Sequence, residues 1–131
     1  MSKYITGIDA GTTGTTVMIV DLKGNIIGTG YREYPCKYPK LGWVEQDLNL
    51  IWEKTCEASQ EVIHKTGIDP KNIVSLGLSS QRGTFVAIDK NWNFLHDSIV
   101  WSDGRATKET EWIRDHLGED YFYQIILPLH N

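Results

Sequence analysis

The 131-residue sequence contains only two cysteines, Cys36 and Cys56, and their spacing does not match a metal-binding pair. We therefore expect free thiols in a reducing, cytoplasmic environment rather than a disulfide framework. The sequence has no run of about 20 apolar residues, so we expect no membrane-spanning helix. The N-terminal residues MSKYI lack the long apolar core of a signal peptide.

An excess of basic residues is also missing. Lysine and arginine total 13 against 17 aspartate and glutamate residues, which gives a formal net charge of −4. Because such a surface repels phosphate backbones, we expect no nucleic-acid binding through a broad basic face. The four histidines show no metal-ligand spacing, and no Ser/His/Asp grouping can be argued. The hydrophobic fraction of 40% is that of an ordinary globular domain with a core.

Apolar periodicity and turn residues divide the chain into strands and helices. The expected strands are 4–9, 15–21, 26–33 and 73–80, with a hairpin at 84–89 and 93–101. The expected helices are 48–65, capped by Asp47 and closed by Gly67, then 105–117, then a third that begins in 120–127 and stops at Pro128. Residues 35–46 are expected to form a loop.

The order of these elements indicates the fold class. Three strands joined by tight turns predict an antiparallel meander, and a helix and a further strand follow it. The segment 73-IVSLGLSS-80 is apolar and alternates poorly, which is typical of a central buried strand. This β-β-β-α-β order matches the ribonuclease-H-like unit of actin-type ATPases, an α/β fold with a mixed sheet and flanking helices.

The first predicted turn has the composition of an anion site. Glycines such as Gly11 let backbone amides approach an anion, and consecutive N–H groups in such a turn form a concave pocket. Thr12 and Thr13 add hydroxyl donors, and Asp9 before them can hold Mg²⁺. No lysine follows the glycines, so this is not a Walker loop. The alternative is a tight turn in which Asp9 is only a cap.

Two later segments, 78-LSSQRGTF-85 and 99-IVWSDGRAT-107, lie at strand ends where α/β proteins bind ligands. In the first, Gln81 and Arg82 can donate hydrogen bonds to hydroxyl groups. In the second, Trp101 can cover the carbon face of a polyol, and Asp103 can accept hydroxyl protons. Alternatively, Trp101 belongs to the core and Asp103 caps the helix that begins near position 105. The segment 42-GWVEQD-47 is interpreted as architectural.

Together the motifs resemble those of a known family. Asp9-x-Gly11-Thr12-Thr13, 42-GWVEQD-47, 79-SSQRGTFVAID-89 and 99-IVWSDGR-105 resemble, in order, the N-terminal region of the FGGY carbohydrate kinases, which include glycerol kinase and xylulokinase. The resemblance implies an actin-like protein of two domains. It also implies that ATP and Mg²⁺ bind between the domains and that a hydroxyl of a sugar or polyol is phosphorylated.

The resemblance also implies roles for individual positions. Asp9 is similar to the family's magnesium-associated aspartate. The positions that resemble the phosphate-contacting turn are Gly11, Thr12 and Thr13. The positions that resemble polyol contacts of glycerol kinases are Arg82 and Trp101, and those that resemble the W-x-D-x-R pattern of xylulokinases are Asp103 and Arg105.

Two departures from the family pattern shape the expected function. Glycerol kinases carry a glutamate after Gln-Arg, where this chain has Gly83, so a five-carbon ketose or related polyol is expected ahead of glycerol. The family's catalytic base is an aspartate in a Gly-Asp-Gln context, which we expect beyond Asn131. We therefore expect residues 1–131 to be the N-terminal part of the first, sugar-binding domain, with the second domain absent. By itself this piece should be inactive and should form homo-oligomers. The alternatives are a non-catalytic binding or assembly module and a ribonuclease-H-like metal nuclease.

Overall fold

The computed structural model describes residues 2–118. The strands are β1 (Tyr4–Ala10), β2 (Gly14–Asp21), β3 (Ile26–Glu33), β4 (Glu45–Gln46), β5 (Ile73–Ser80) and β6 (Ser98–Ile99). The helices are α1 (Leu48–Thr66), a 3₁₀ turn at Pro70–Asn72, and α2 (Thr107–Leu117). Neither α1 nor α2 is long and apolar enough to cross a membrane. The third expected helix, at 120–127, lies outside the described residues.

The main sheet has four strands in the order β3-β2-β1-β5. The first three form the expected antiparallel meander, and β5 pairs in parallel with β1 after the chain crosses over through α1. The predicted α/β fold with a mixed sheet is therefore confirmed. In the register of the sheet, Asp9 lies between Thr16 of β2 and Ser79 of β5, which places its side chain on the face away from α1.

Helix α1 has the ends that the sequence predicts. The Asp47 carboxylate accepts hydrogen bonds from the backbone N–H groups of Asn49 and Leu50, at 2.9 and 3.3 Å. Gly67 ends the helix with φ 64°, a left-handed conformation that glycine adopts without a steric penalty. The buried core beneath the helix consists of Val17, Ile19, Ala58, Val62 and Ile68.

The contact between α1 and β3 depends on a missing side chain. A Cβ atom at Gly30 would lie 2.4 Å from the carbonyl oxygen of Ala58 in α1, far inside van der Waals contact. The glycine therefore lets the helix backbone lie directly on the strand. The pairing of Gly14 with Glu33 in the sheet brings the end of β3, and Tyr34 just after it, next to the β1–β2 turn.

The expectation that β5 is a central, buried strand is wrong for the part of the chain that the structure describes. β5 lies at an edge of the sheet and pairs only with β1 there, and Leu76 and Leu78 are exposed. A run of apolar residues shows that a strand can be buried, but burial also needs a neighbour on each side. Leu76 pairs with Thr6 and Leu78 with Ile8. Both leucines therefore lie on the face of the sheet that α1 covers only in part.

The expected hairpin at 84–89 and 93–101 forms only in outline. Isolated bridges join Ile88 to Phe94 and Phe85 to Ile99, and the pairing slips by two residues between them. This slip prevents continuous strands, and only Ser98–Ile99 forms a ladder, with β4. Helix α2 begins at Thr107 rather than near 105, and it makes no side-chain cap.

Candidate functional site

The turn between β1 and β2 is a tight three-residue connection, residues 11–13. The N–H of Gly11 donates to the carbonyl of Gly14 at 3.0 Å. A Cβ atom at Gly14 would lie 2.6 Å from both the carbonyl oxygen of Arg32 and the hydroxyl of Tyr31, so only glycine fits there. The backbone of the turn therefore lies directly against the end of β3, at one end of the main sheet.

Asp9, the predicted magnesium residue, is exposed beside this turn. Its carboxylate makes no hydrogen bond or ion pair with residues 2–118, and it lies at the wall of an open depression with Thr16, Met18 and Ser79. No group of three His, Cys, Asp or Glu side chains that could hold a metal ion occurs in that range. A lone, free carboxylate fits Mg²⁺ that takes its other ligands from water and substrate phosphates.

A chain of hydrogen bonds joins the predicted phosphate turn to two predicted substrate residues. The Thr12 hydroxyl donates to the Gln81 side-chain oxygen at 3.0 Å and accepts from the Trp101 indole N–H at 3.1 Å. The Gln81 amide donates to the Gln46 side-chain oxygen at 2.8 Å, and Gln46 donates to the Thr12 carbonyl at 2.6 Å. These bonds hold three separate segments against one turn.

Some of the predicted ligand-binding groups are occupied by protein partners, and others are unpaired among the described residues. The Thr12 hydroxyl and the Gln81 amide are both occupied by protein partners, whereas Thr13 is exposed and its hydroxyl has no partner among residues 2–118. Arg82 is exposed and forms no ion pair with the described residues. The Trp101 side chain is 62% exposed, so the alternative that it belongs to the core is wrong. Arg82, Thr13 and the Trp101 ring are thus open to a ligand.

Asp103 is held by the protein itself. Its two carboxylate oxygens accept from the Val44 N–H at 2.6 Å, from the Arg105 N–H at 2.9 Å, and from the Arg105 guanidinium at 2.8 and 2.9 Å. These hydrogen bonds, led by those from the guanidinium, hold the Asp103 pKa well below its ordinary value. The side chain is 3% exposed. The alternative role as cap of α2 is also wrong, because the residue before that helix is Ala106.

Arg105 extends this arrangement into the 42-GWVEQD-47 segment. Its guanidinium donates to Glu45 at 2.7 Å and lies 3.9 Å from the centre of the Trp43 ring. The W-x-D-x-R pattern thus clamps its own loop to the strand that carries Gln46. As a substrate contact Asp103 stays a prediction, and its observed bonds are structural.

Next to Trp101, Gly83 has a constrained backbone. Its φ is +73°, and a Cβ atom there would lie 3.3 Å from the Cβ of Trp101. A larger residue at this position would therefore be strained and would press against Trp101. The position at which we expect a departure from glycerol kinases therefore lies next to the predicted polyol wall.

Two buried residues of the site were not predicted from the sequence. Gln46 is fully buried at the centre of the network, and Tyr34, 4% exposed, donates its hydroxyl to the Gly11 carbonyl at 2.7 Å. Gln46 lies inside 42-GWVEQD-47, which the sequence marks only as architectural, and its partners Thr12 and Gln81 are distant in the sequence. Tyr34 follows a strand in an ordinary sequence context and carries no functional signal either.

Known carbohydrate kinases are similar to this chain in sequence and in fold. Glycerol kinase from Synechocystis sp. is 45% identical over 106 residues, which are 80% of this chain and 21% of that protein. A ligand-bound xylulose kinase from Lactobacillus acidophilus superposes with a TM-score of 0.80 at 30% identity, over 93% of this chain and 24% of that one. Glycerol kinase from Plasmodium falciparum, solved with ADP, gives 0.77 at 25% identity, over 88% and 23%.

The chain therefore spans less than a quarter of the length of each of these relatives. The family match, in contrast, covers nearly all of this chain. The model for the N-terminal domain of the FGGY carbohydrate kinases aligns with residues 4–130. The predicted resemblance is confirmed by this match and by the shared fold. This chain belongs to the FGGY family of carbohydrate kinases and matches their N-terminal region.

Proposed function

We propose that this chain provides the phosphate turn and part of the sugar pocket of an ATP-dependent kinase that phosphorylates a hydroxyl of a small sugar or polyol. The observation that carries the proposal is the bonding of Thr12 to both Gln81 and Trp101, because it joins the predicted phosphate and substrate residues in one site. The ADP in the Plasmodium falciparum relative supports a nucleotide as the phosphate donor.

The residues of this chain would act mainly by position and charge. Phosphoryl transfer needs little covalent help from the protein, and it depends on alignment and on neutralising the charge of the phosphates. Asp9 would hold Mg²⁺, which supplies charge neutralisation when bound. The amides of the turn and the Thr13 hydroxyl would contact phosphate oxygens, while Arg82 and the Trp101 ring would contact the sugar.

The proton acceptor for the substrate hydroxyl is proposed to lie outside residues 1–131, in the Gly-Asp-Gln context of the family. We infer that the 131-residue chain alone has no sugar-kinase activity, because general-base catalysis contributes roughly 10²–10⁴-fold and half of the nucleotide site would also be lacking. The exposed apolar residues of β5, such as Leu78 at 71% exposure, favour self-association of that isolated chain. A clean monomer by light scattering would contradict the association.

For the substrate we propose a five-carbon ketose or a related polyol ahead of glycerol. Gly83 offers no carboxylate to a glycerol hydroxyl, and the xylulose kinase named above shares the fold at 30% identity. The competing substrate is glycerol itself, since the Synechocystis relative at 45% identity is a glycerol kinase. The two substrates are directly comparable in one assay.

The nuclease alternative finds little support among residues 2–118. Metal nucleases of the ribonuclease-H-like fold cluster several carboxylates around their ions, whereas Asp9 has no such group around it there. A binding or assembly module would not need an unpaired carboxylate, such as that of Asp9 within residues 2–118, beside a phosphate-binding turn. Cleavage of labelled nucleic acid that depends on a divalent metal would revive the first alternative.

The experiment that tests the proposal is an ADP-release assay on the full-length protein with a panel of pentuloses, pentitols, hexonates and glycerol. We expect sugar-dependent turnover with at least one of these compounds. The 131-residue chain serves as the matched control and should release no ADP above background. Full-length protein without turnover on any member of the panel would contradict the proposal.

A further inference from the structure

We propose that Tyr34 and Gln46 are positioning residues that aim the backbone N–H groups of Thr12 and Thr13 at the phosphates of a nucleotide. This inference rests on the proposed function, because it takes the β1–β2 turn as the phosphate site. It adds two residues to that site, neither of which would touch the ligand.

Three successive carbonyls of the turn accept hydrogen bonds from these two residues. The Gly11 carbonyl accepts from the Tyr34 hydroxyl at 2.7 Å, and the Thr13 carbonyl accepts from the Tyr34 backbone N–H at 3.2 Å. Between them, the Thr12 carbonyl accepts from the Gln46 side-chain amide at 2.6 Å. Each peptide plane of the turn therefore has one fixed end.

Peptide geometry converts these anchors into a direction for the amides. The described residues contain no cis peptide bond, and in a planar trans peptide the C=O and the following N–H point in opposite directions. The Thr12 N–H thus points away from the Tyr34 hydroxyl, and the Thr13 N–H points away from Gln46. Neither amide has an acceptor among residues 2–118.

Both anchors lie on the buried side of the turn. Gln46 is fully buried, and its side-chain oxygen and backbone carbonyl accept from Gln81 and Ser98, so its amide group cannot rotate freely. Tyr34 is 4% exposed, and burial, helped by the negative charge of Asp9, raises its pKa to about 12. Its hydroxyl therefore remains a donor at neutral pH. With the carbonyls held inward, the amides face the open side.

The chemistry of the open side specifies the ligand class. Two adjacent N–H groups with free donors form a concave site for oxyanions. Asp9 stands beside them with a free carboxylate, so a bare anion would meet repulsion there, whereas an anion that carries a divalent cation would be attracted. A nucleotide oligophosphate with Mg²⁺ satisfies both features.

The first arm of the test measures the amide directions without any ligand. Residual dipolar couplings of the Thr12 and Thr13 N–H bonds are recorded on the isotope-labelled 131-residue chain and on its Tyr34→Phe and Gln46→Met variants. Tyr34→Phe should change the Thr12 coupling first, and Gln46→Met the Thr13 coupling. The matched control is Tyr31→Phe, because Tyr31 lies beside the same turn and its hydroxyl forms no hydrogen bond with a described residue.

Unchanged Thr12 coupling in folded Tyr34→Phe would overturn the positioning role whatever the enzyme does. Tyr34→Phe decides the matter alone if Gln46→Met fails to fold, since it removes one hydroxyl and leaves the ring in place. Thr12 couplings that change equally in Tyr31→Phe would also overturn it.

The second arm measures the consequence in the full-length protein. Tyr34→Phe should raise the KM for ATP with Mg²⁺ by about tenfold, the value of one lost hydrogen bond, with a smaller change in the KM for the sugar. Equal ATP KM values in Tyr34→Phe and Tyr31→Phe would overturn the nucleotide-aiming role. Absence of any turnover in the wild-type protein would instead contradict the proposed function, and the couplings would still decide the positioning role.

Discussion

The indole N–H of Trp101 donates to the hydroxyl of Thr12 at 3.1 Å across 89 positions of the chain. Because the same hydroxyl donates to Gln81, one threonine side chain holds the wall of the proposed sugar pocket against the proposed phosphate turn. The two halves of the chemistry are thereby kept at a fixed separation, which phosphoryl transfer between two bound substrates requires.

Thr12→Val removes this hydroxyl and preserves the shape of the side chain. We expect the KM for the sugar in the full-length protein to rise by about tenfold, although the Thr12 hydroxyl bonds protein groups rather than substrate. Thr12→Ser keeps the hydroxyl and is the matched control, with a KM near that of the wild type. Equal KM values for wild type and Thr12→Val would show that the bond has no influence on the pocket.

Gly83 is the position that should control the choice between glycerol and larger substrates. Gly83→Glu supplies the carboxylate of glycerol kinases and should raise the ratio of kcat/KM for glycerol to that for a pentulose by about tenfold. Gly83→Ala is the control, since it carries the same backbone strain at φ +73° without a carboxylate. The proposed substrate is wrong if the wild-type protein already prefers glycerol to every pentulose and pentitol tested.

Substitution of Asp103 tests whether its carboxylate stabilises the folded chain. Asp103→Asn removes the charge that pairs with Arg105, and we expect the Tm of the chain at neutral pH to fall by several degrees. Because folding lowers the Asp103 pKa, this stabilisation is fully present above the pKa that Asp103 has in the unfolded chain. It is lost only in strong acid, as the pH falls through the pKa of the folded state. Asp115→Asn is the control, because that carboxylate is 68% exposed. An unchanged Tm for Asp103→Asn would contradict the clamp.

Much of the framework could be predicted from the sequence because its signals are local. Asp47 and Gly67 mark the two ends of α1 through their own backbone preferences, and the meander follows from short turns between apolar runs. The exposure of β5 could not be predicted, because the position of a strand within a sheet depends on its neighbours. The pairing of Ser98–Ile99 with β4 and the two-residue slip of the hairpin also involve partners distant in the sequence, which local signals do not reveal.

The site was predicted residue by residue but not as a network. The phosphate turn and the substrate segments are recognisable from the chemistry of their residues, and the structure brings Thr12, Gln81 and Trp101 together. Gln46 and Tyr34 escaped because a buried amide and a buried phenol gain their roles only from partners distant in the sequence. Asp103 and Arg105 are only two positions apart, but the sequence does not show whether the arginine binds this carboxylate or a ligand.

The Tyr34 hydroxyl should lose its proton at a higher pH than an ordinary tyrosine. The folded chain should become less stable as this proton is lost. Its pKa of about 12 in the folded chain lies above the value of about 10 for an unfolded tyrosine, so the folded state holds the proton longer. The stabilisation is complete below about pH 10 and is lost as the pH rises to about 12. Phenolate absorbance should show a late phase that Tyr34→Phe abolishes and Tyr31→Phe retains. A late phase that survives in Tyr34→Phe would assign it to another tyrosine.

The most direct measurement of the central claim is the magnesium dependence of ADP release by full-length Asp9→Ala. If Asp9 holds the magnesium ion beside the phosphate turn, kcat/KM for ATP should fall by at least about 100-fold, because several kcal/mol of charge stabilisation are lost. Its circular dichroism and Tm should match the wild type, since the Asp9 carboxylate bonds to no residue in 2–118, and Asp115→Ala should retain full activity. Wild-type kinetics in a folded Asp9→Ala protein would contradict the account.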